Sequence, residues 1–264
     1  MMLQRGRLPI TGLRWMADVT RDAFLNGRLQ VHQPARGYRA GVDPVLLAAS
    51  VAAKAGQSVL ELGCGVGVAS LCLGARVAGL ELFGVEVQAD YAALARRNAA
   101  ENAIDFKVLD GDLAQMPDAL RLRQFDHVIA NPPYFLRASS TAAQESGRET
   151  AMGEETALAE WVATAVRRVA PKGYVTFIQR AERLPELLAL MSDGLGSIEV
   201  LPITPRIGRA AQLVLIRGRK GGRAAFCLRA GVLMHDGADH EKDGEDYAPL
   251  IQDVLRHGAA LPFV

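Results

Sequence analysis

Several things are scarce in this 264-residue sequence, and each scarcity removes a class of protein. There are three cysteines, Cys64, Cys72 and Cys227, with no metal-ligand spacing among them. That argues against a metal site, and the odd count points to reduced thiols and a cytoplasmic protein. No apolar stretch is long enough to cross a membrane and no signal peptide is visible, so no membrane partner is expected. Lys and Arg number 30 against 29 Asp and Glu, so a net charge of +1 does not announce nucleic acid. There is no internal repeat and no heptad run.

What is present is a chain that is 50% hydrophobic, enough for one large core or one core with a small appendage. Charge is unevenly spread. Residues 1–41 hold seven arginines against two acids, residues 204–229 hold seven basic groups and no acid, and residues 236–246 hold six acids and one lysine. A balanced total can hide a positive face.

Residues 1–17 read as a flexible arm, and Asp18 as a possible helix cap for residues 18–28. Leu29, Val31 and the turn from Gln33 to Tyr38 read as a strand or hairpin, so residues 1–40 form an arm with a small hairpin segment. Asp43-Pro44 opens a helix, with proline at the first helical position. From residue 58 the pattern is strand, loop, helix, repeated. Strands are expected over 58–62, 78–86, 106–109, 125–130 and 174–178, and helices over 68–75, 89–100, 158–169 and 184–191. Apolar strands separated by short helices predict a parallel sheet covered on both faces. Residues 198–202 and 211–217 have no helix between them and predict an antiparallel hairpin at the sheet's edge. Residues 226–234 read as a further strand and 247–257 as a last helix. Residues 41–264 thus form one α/β domain, with a basic then acidic extension over 218–264.

The centre of the pattern is Val59-Leu60-Glu61-Leu62-Gly63-Cys64-Gly65-Val66-Gly67. A strand runs into three alternating glycines and then a helix, which is a nucleotide-binding turn. The spacing is neither the dinucleotide Gly-x-Gly-x-x-Gly nor the triphosphate Gly-x-x-x-x-Gly-Lys-Ser/Thr. Glu61 is awkward beside a pyrophosphate but suits a ligand with an ammonium group. Glu86 closes the next strand, where a carboxylate accepts from both hydroxyls of a ribose. S-adenosylmethionine carries both features. Asp112, with Asp110 as its competitor, is placed to accept from the adenine amine, and Leu113 to stack on the ring or to sit in the core. Cys64 reads as a small space-filler.

Asn131-Pro132-Pro133-Tyr134 follows the fourth strand. A planar amine is a poor nucleophile because its lone pair is delocalised. The Asn131 side-chain oxygen and the Pro132 carbonyl can accept from both amine hydrogens and hold the lone pair toward a methyl donor. No strong base is needed, because the amine becomes acidic once methylated. Tyr134 offers a flat face for the target base.

Glu61–Gly67, Glu86, Asp112 and Asn131–Tyr134 together resemble the class I S-adenosylmethionine-dependent methyltransferases that modify planar amino groups. The resemblance implies a Rossmann-like, seven-stranded, mostly parallel sheet with one antiparallel strand. It leaves adenine N6, guanine N2 and glutamine N5 acceptors open. The lead-in Gln33-Pro34, then Gly37-Tyr38-Arg39-Ala40-Gly41-Val42-Asp43-Pro44-Val45-Leu46-Leu47, is similar to that of the bacterial valine-tRNA adenine-37 N6-methyltransferase group. By that resemblance Tyr38 and Asp43 join the cofactor site, and the substrate is a tRNA purine beside the anticodon. The acidic stretch 236–246 and the Arg-rich start depart from that group.

An RNA partner calls for a basic rim. Arg36, Arg39, Arg137, Arg206 and Arg209 are the candidates, with Arg219, Lys220 and Arg223 as a further patch near the strands' carboxyl ends. Residues 137–153 are a candidate closing loop. A protein glutamine target, a DNA or small-molecule target, and a non-catalytic RNA-binding protein are the competing readings. The expected state is a monomer or weak homodimer.

Overall fold

The computed structural model describes residues 19–134, 157–237 and 246–263. The arm at 1–17, most of the acidic stretch, Arg137 and the candidate closing loop lie outside the described residues.

The described residues open with an antiparallel hairpin, Val19–Phe24 (β1) and Leu29–Pro34 (β2). Residues 19–24 are therefore strand, not the helix that a cap at Asp18 would begin. Two things outweigh helix propensity here. Leu25, Leu29 and Val31 are buried in the main core. The outer edge of β2 is also satisfied by side chains. After the helix Asp43–Ser50 (α1) come Ser58–Leu62 (β3), Val68–Arg76 (α2), Glu81–Glu86 (β4) and Ala89–Glu101 (α3). Asn98 of α3 accepts from the His32 N–H (2.8 Å) and donates to the His32 carbonyl (3.0 Å). Asn102, one turn on, does the same for Gln30 at 2.9 and 2.8 Å. The two amides pair with β2 as a neighbouring strand would, which removes its free edge. Asn98 also donates to the carbonyl of Val66 at 3.0 Å, so the same side chain ties the hairpin to the glycine turn.

The large sheet continues with Phe106–Asp110 (β5), Phe125–Ala130 (β6) after the short helix Asp118–Arg121 (α4), and Val169–Arg180 (β7) after Leu158–Arg168 (α5). Leu184–Ser192 (α6), Gly196–Thr204 (β8) and Leu213–Arg219 (β9) follow. Two-residue strands Cys227–Leu228 (β10) and Val232–Leu233 (β11) lie along β8, and Pro249–His257 (α7) closes the chain. The spatial order is β10-β8-β9-β7-β6-β3-β4-β5. Seven strands are full-length and the two short ones extend the outer edge. β9 is antiparallel to both β7 and β8, so it sits between them, and β8 carries the edge. The strand read over 226–234 is broken into β10 and β11.

Side chains alternate between two cores. Val59, Ile129, Ile178 and Leu215 face α1, α2, α3 and α7. Leu60, Leu62, Val128, Phe177 and Ile216 face α4, α5 and α6. Alternation of apolar residues on both faces is what a strand covered by helices on both sides requires.

Replacing Asn98 with Ala leaves three buried backbone groups without partners. The expected loss is about 2–4 kcal/mol of unfolding free energy, read from urea denaturation. A loss under about 0.5 kcal/mol would show that the amide does not hold the hairpin.

Candidate active site

Strand register decides what meets at the carboxyl edge of the sheet. Leu62 is paired with Val85 on one side and Ala130 on the other, and Glu86 with Asp110. Gly63, Glu86 and Asn131 are therefore neighbours, although each lies in a different part of the sequence.

The glycine turn is left-handed at Gly63, Gly65 and Gly67, with φ of +57°, +54° and +90°. A Cβ on Gly63 would come within 2.3 Å of the Trp161 ring, so the turn is pressed against α5 on that side. A Cβ on Gly65 would meet nothing within 4 Å. The turn thus has one packed side and one open side, and the open side is a cradle. Cys64 is buried, and shielding from water pushes its thiol well above the ordinary range. It fills space, as the sequence implies.

Two carboxylates border the cradle. Glu61 is 4% exposed. Ser70, in the first turn of α2, donates its N–H (3.0 Å) and its hydroxyl (2.5 Å) to the same oxygen, Oε2. Burial pushes the Glu61 pKa up to about 7, with the Ser70 hydrogen bonds opposing. Glu86 Oε2 accepts from the Gly65 N–H at 2.8 Å, and its Oε1 from Gln88 at 2.9 Å. Its pKa is raised too, chiefly by burial. Asp110 is ion-paired with Arg96, which leaves Asp112 as the freer carboxylate beyond β5. Asp112 is exposed and accepts from the Ala114 N–H at 2.9 Å. Leu113 is packed in the core on the α5 side.

Asn131, Tyr134, Tyr38 and Asp43 form one hydrogen-bonded group. Asn131 Nδ2 donates to the Tyr38 hydroxyl oxygen at 3.2 Å. The Tyr134 hydroxyl lies 3.2 Å from Asn131 Oδ1 and donates to Asp43 Oδ2. The Tyr91 hydroxyl donates to the Tyr38 carbonyl at 3.1 Å. Tyr38 and Asp43 are thus brought against the Asn-Pro-Pro-Tyr loop. The Tyr134 phenol is raised in pKa, first by shielding from water and then by the Asp43 carboxylate.

Four residues of this region lie outside the motifs of the sequence, and only one of them leaves a clue there. Trp161 backs the glycine turn, and Ser70 holds Glu61. Gln179, fully buried on β7, donates to the Pro132 carbonyl at 3.4 Å. A glutamine inside an otherwise apolar strand is the one clue that could have flagged it. Arg180, the next residue, places its guanidinium 5.6 Å from the Tyr134 ring centre.

The basic rim is smaller than the sequence suggests. Arg39 is ion-paired with Asp22, and Arg206 with Asp246. Arg219, Lys220 and Arg223 lie at the opposite end of the sheet, because β9 runs antiparallel and carries its last residues there. Lys220 donates to the carbonyls of Val166 (2.7 Å) and Val169 (3.2 Å) at the end of α5. Exposed cations on the site's side include Arg36, Arg180 and Arg209. Among the described residues no His, Cys, Asp and Glu cluster could hold a metal ion, and no helix is long and apolar enough to cross a membrane.

Chemically, the loop after β6 carries two hydrogen-bond acceptors on successive residues, Asn131 Oδ1 and the Pro132 carbonyl, and follows the strand next to the one that leads into the glycine turn. That suits a group with two hydrogens on a planar nitrogen.

Comparison with known proteins shows the family of the chain. Residues 40–203 match the methyltransferase small domain family. A tRNA1(Val) (adenine(37)-N6)-methyltransferase of Porphyromonas gingivalis is 29% identical over 196 residues, covering 69% of this chain and 76% of that protein. The protein of the same name from Actinobacillus succinogenes is 28% identical over 200 residues, 74% of this chain and 82% of that protein. A predicted O-methyltransferase, protein Atu636 from Agrobacterium tumefaciens, is similar in structure. Its TM-score is 0.67 at 29% identity, covering 83% of this chain and 98% of that one. The fold is shared with the Thermus thermophilus 16S rRNA N2 G1207 methyltransferase, at TM-score 0.54 and 18% identity, over 76% of this chain and 50% of that one.

The raised pKa of Glu61 gives a signed pH dependence. Its protonated form is favoured by folding, so its contribution to stability is full below about 4.5 and is lost as pH rises through about 7. Glu61→Gln is expected to raise the stability of the unliganded protein at pH 8 by up to about 3 kcal/mol and to flatten the slope between those values. Thermal or urea unfolding across pH measures it. An unchanged slope would mean that Glu61 is not held protonated by the fold.

Proposed function

The chain belongs to the methyltransferase small domain family, and from that premise we propose that it methylates the N6 amine of an adenine in tRNA, beside the anticodon. The observation that carries the reading is the register of Leu62 opposite Ala130, which sets Asn131 and Pro132 beside the start of the glycine turn, where the space around Gly65 is open. A hydroxyl acceptor has one hydrogen and needs a base. An exocyclic amine has two hydrogens and needs two acceptors. Relatives named for adenine N6 chemistry on tRNA support the choice of acceptor.

S-adenosylmethionine fits the cradle. Glu61 would hold its ammonium, Glu86 its ribose hydroxyls, and Asp112 its adenine amine. When bound, it would supply the methyl group, the C–S electron pair staying on sulfur as the amine lone pair forms the N–C bond, and one amine proton would leave to water. The chain's own work is orientation. Asn131 and Pro132 fix the amine hydrogens in the plane of the acceptors, and Gln179 steadies the Pro132 carbonyl. Tyr134 lines the base, a stacking contact worth roughly 1–3 kcal/mol. A loop base is already unpaired, so it reaches the pocket at less cost than a base in a duplex. Arg36, Arg180 and Arg209 would bind phosphate and set the register of the RNA. They also separate this reading from a protein glutamine target, which presents the same amide hydrogens but no phosphate.

Labelled methyl transfer from S-adenosylmethionine to bulk tRNA, a DNA pool and a protein extract, run in parallel, tests the assignment. Label is expected in tRNA as N6-methyladenosine on nucleoside analysis, and label confined to protein would overturn it. Asn131→Ala is expected to lower kcat by about 100-fold or more while cofactor affinity stays within a few-fold. Loss of both together would place Asn131 in the wrong role.

A further inference from the structure

Asp43 begins α1 and lies 91 residues from Tyr134 in the sequence. Its position at a helix start is explained by the helix dipole alone. Its contact is not. The Tyr134 hydroxyl carries one hydrogen and has two acceptors in reach, Asp43 Oδ2 and Asn131 Oδ1. One hydrogen cannot fully serve both. The charged carboxylate is the stronger acceptor. Meanwhile the Asn131 nitrogen is turned toward the Tyr38 hydroxyl, so its oxygen faces Tyr134.

We propose that Asp43 is a positioning residue: it draws the Tyr134 hydroxyl hydrogen away from Asn131 Oδ1 and keeps that oxygen free to accept from the substrate amine. The inference rests on the reading of Asn131 as the amine acceptor. Without the Asp43 carboxylate, the Tyr134 hydroxyl turns to Asn131 and caps the oxygen that the amine must use. The Tyr134 hydrogen then competes with the substrate for that oxygen. Tyr38 serves the same end from the other side by holding the amide in one orientation. The raised pKa of the Tyr134 phenol means that it keeps its hydrogen at neutral pH, so the competition is permanent unless another acceptor takes it. Asp43 thus acts through Tyr134 on Asn131 and does not touch the reacting atoms.

The test compares Asp43→Ala, Asp43→Asn, Tyr134→Phe and the Asp43→Ala/Tyr134→Phe double variant, with kcat and the cofactor KM measured separately on the acceptor that the wild type labels. Asp43→Ala is expected to lower kcat about tenfold or more with the cofactor KM within about twofold. Asp43→Asn, which keeps a neutral acceptor in place, falls between. Tyr134→Phe keeps the ring but removes the competing hydrogen. The double variant is therefore expected to be faster than Asp43→Ala alone and to approach Tyr134→Phe. A purely structural role for Asp43 does not produce that rescue. A double variant slower than Asp43→Ala would overturn the proposal, as would Asp43→Ala raising the cofactor KM at unchanged kcat. If Asp43→Ala fails to fold, Asp43→Asn with and without Tyr134→Phe gives the same ordering on a smaller scale. A wild type that labels protein amides and not tRNA overturns the tRNA reading, and the order of these rates then still decides the role of Asp43.

Discussion

The register of three parallel strands is the constraint on which the site depends. Leu62 is opposite both Val85 and Ala130. Neighbouring strands lie about 4.8 Å apart, so the residues that follow these partners must line up at one edge. Those residues are Gly63, Glu86 and Asn131. A slip of one residue in any strand would turn its side chains to the opposite face and exchange the two cores. Apolar alternation on both faces resists such a slip. The packing that stabilises the sheet is thus the same packing that brings a glycine cradle, a carboxylate and an amide acceptor together.

The hairpin is attached to this edge by unusual means. Asn98 and Asn102 replace a neighbouring strand for β2, and Asn98 reaches on to the Val66 carbonyl in the glycine turn. Arg28 adds a second anchor by donating to the carbonyls of His257 (3.0 Å) and Ala75 (2.9 Å) at the ends of α7 and α2. The segment after β2 is in turn held by Gln33, whose side chain accepts from the Ala40 N–H at 2.8 Å. Tyr38 and Asp43 are delivered to the Asn-Pro-Pro-Tyr loop by this chain of contacts. Opposite them, Glu61 is buried at a cost that shows as its raised pKa. On the proposed reading a cationic ligand group beside it would relieve that cost; in the unliganded protein the buried carboxylate costs stability once it is charged.

The parts of the site that are local in sequence were legible there. The glycine turn, Glu61 and Glu86 at strand ends, and Asn131–Tyr134 after a strand all follow from periodicity and residue type. The strand order was legible in outline, because an unbroken alternation of strand and helix allows few arrangements. Contacts between distant segments were not. Nothing in the sequence says that Asp43 accepts from Tyr134, or that Asn98 serves as a strand edge. Residues 19–24 were misjudged because their stability comes from cross-strand pairing and from α3, which no local window contains. The basic loop over 218–223 was placed at the wrong end of the sheet. Its charge pattern was plain, but its location follows from the direction of β9, which only the pairing with β7 and β8 sets. Gln179 and Arg180 were missed because they look like the end of an ordinary strand.

The central claim is that the amine to be methylated is gripped by Asn131 Oδ1 and the Pro132 carbonyl beside the glycine cradle. The most direct measurement is a crystal structure of the protein with S-adenosylhomocysteine and an anticodon stem-loop RNA. The predicted result places one exocyclic adenine amine within hydrogen-bond distance of both oxygens, with its nitrogen facing the cofactor sulfur. A base bound with its amine turned away from Asn131, or a cofactor lying elsewhere than over Gly65, would contradict it.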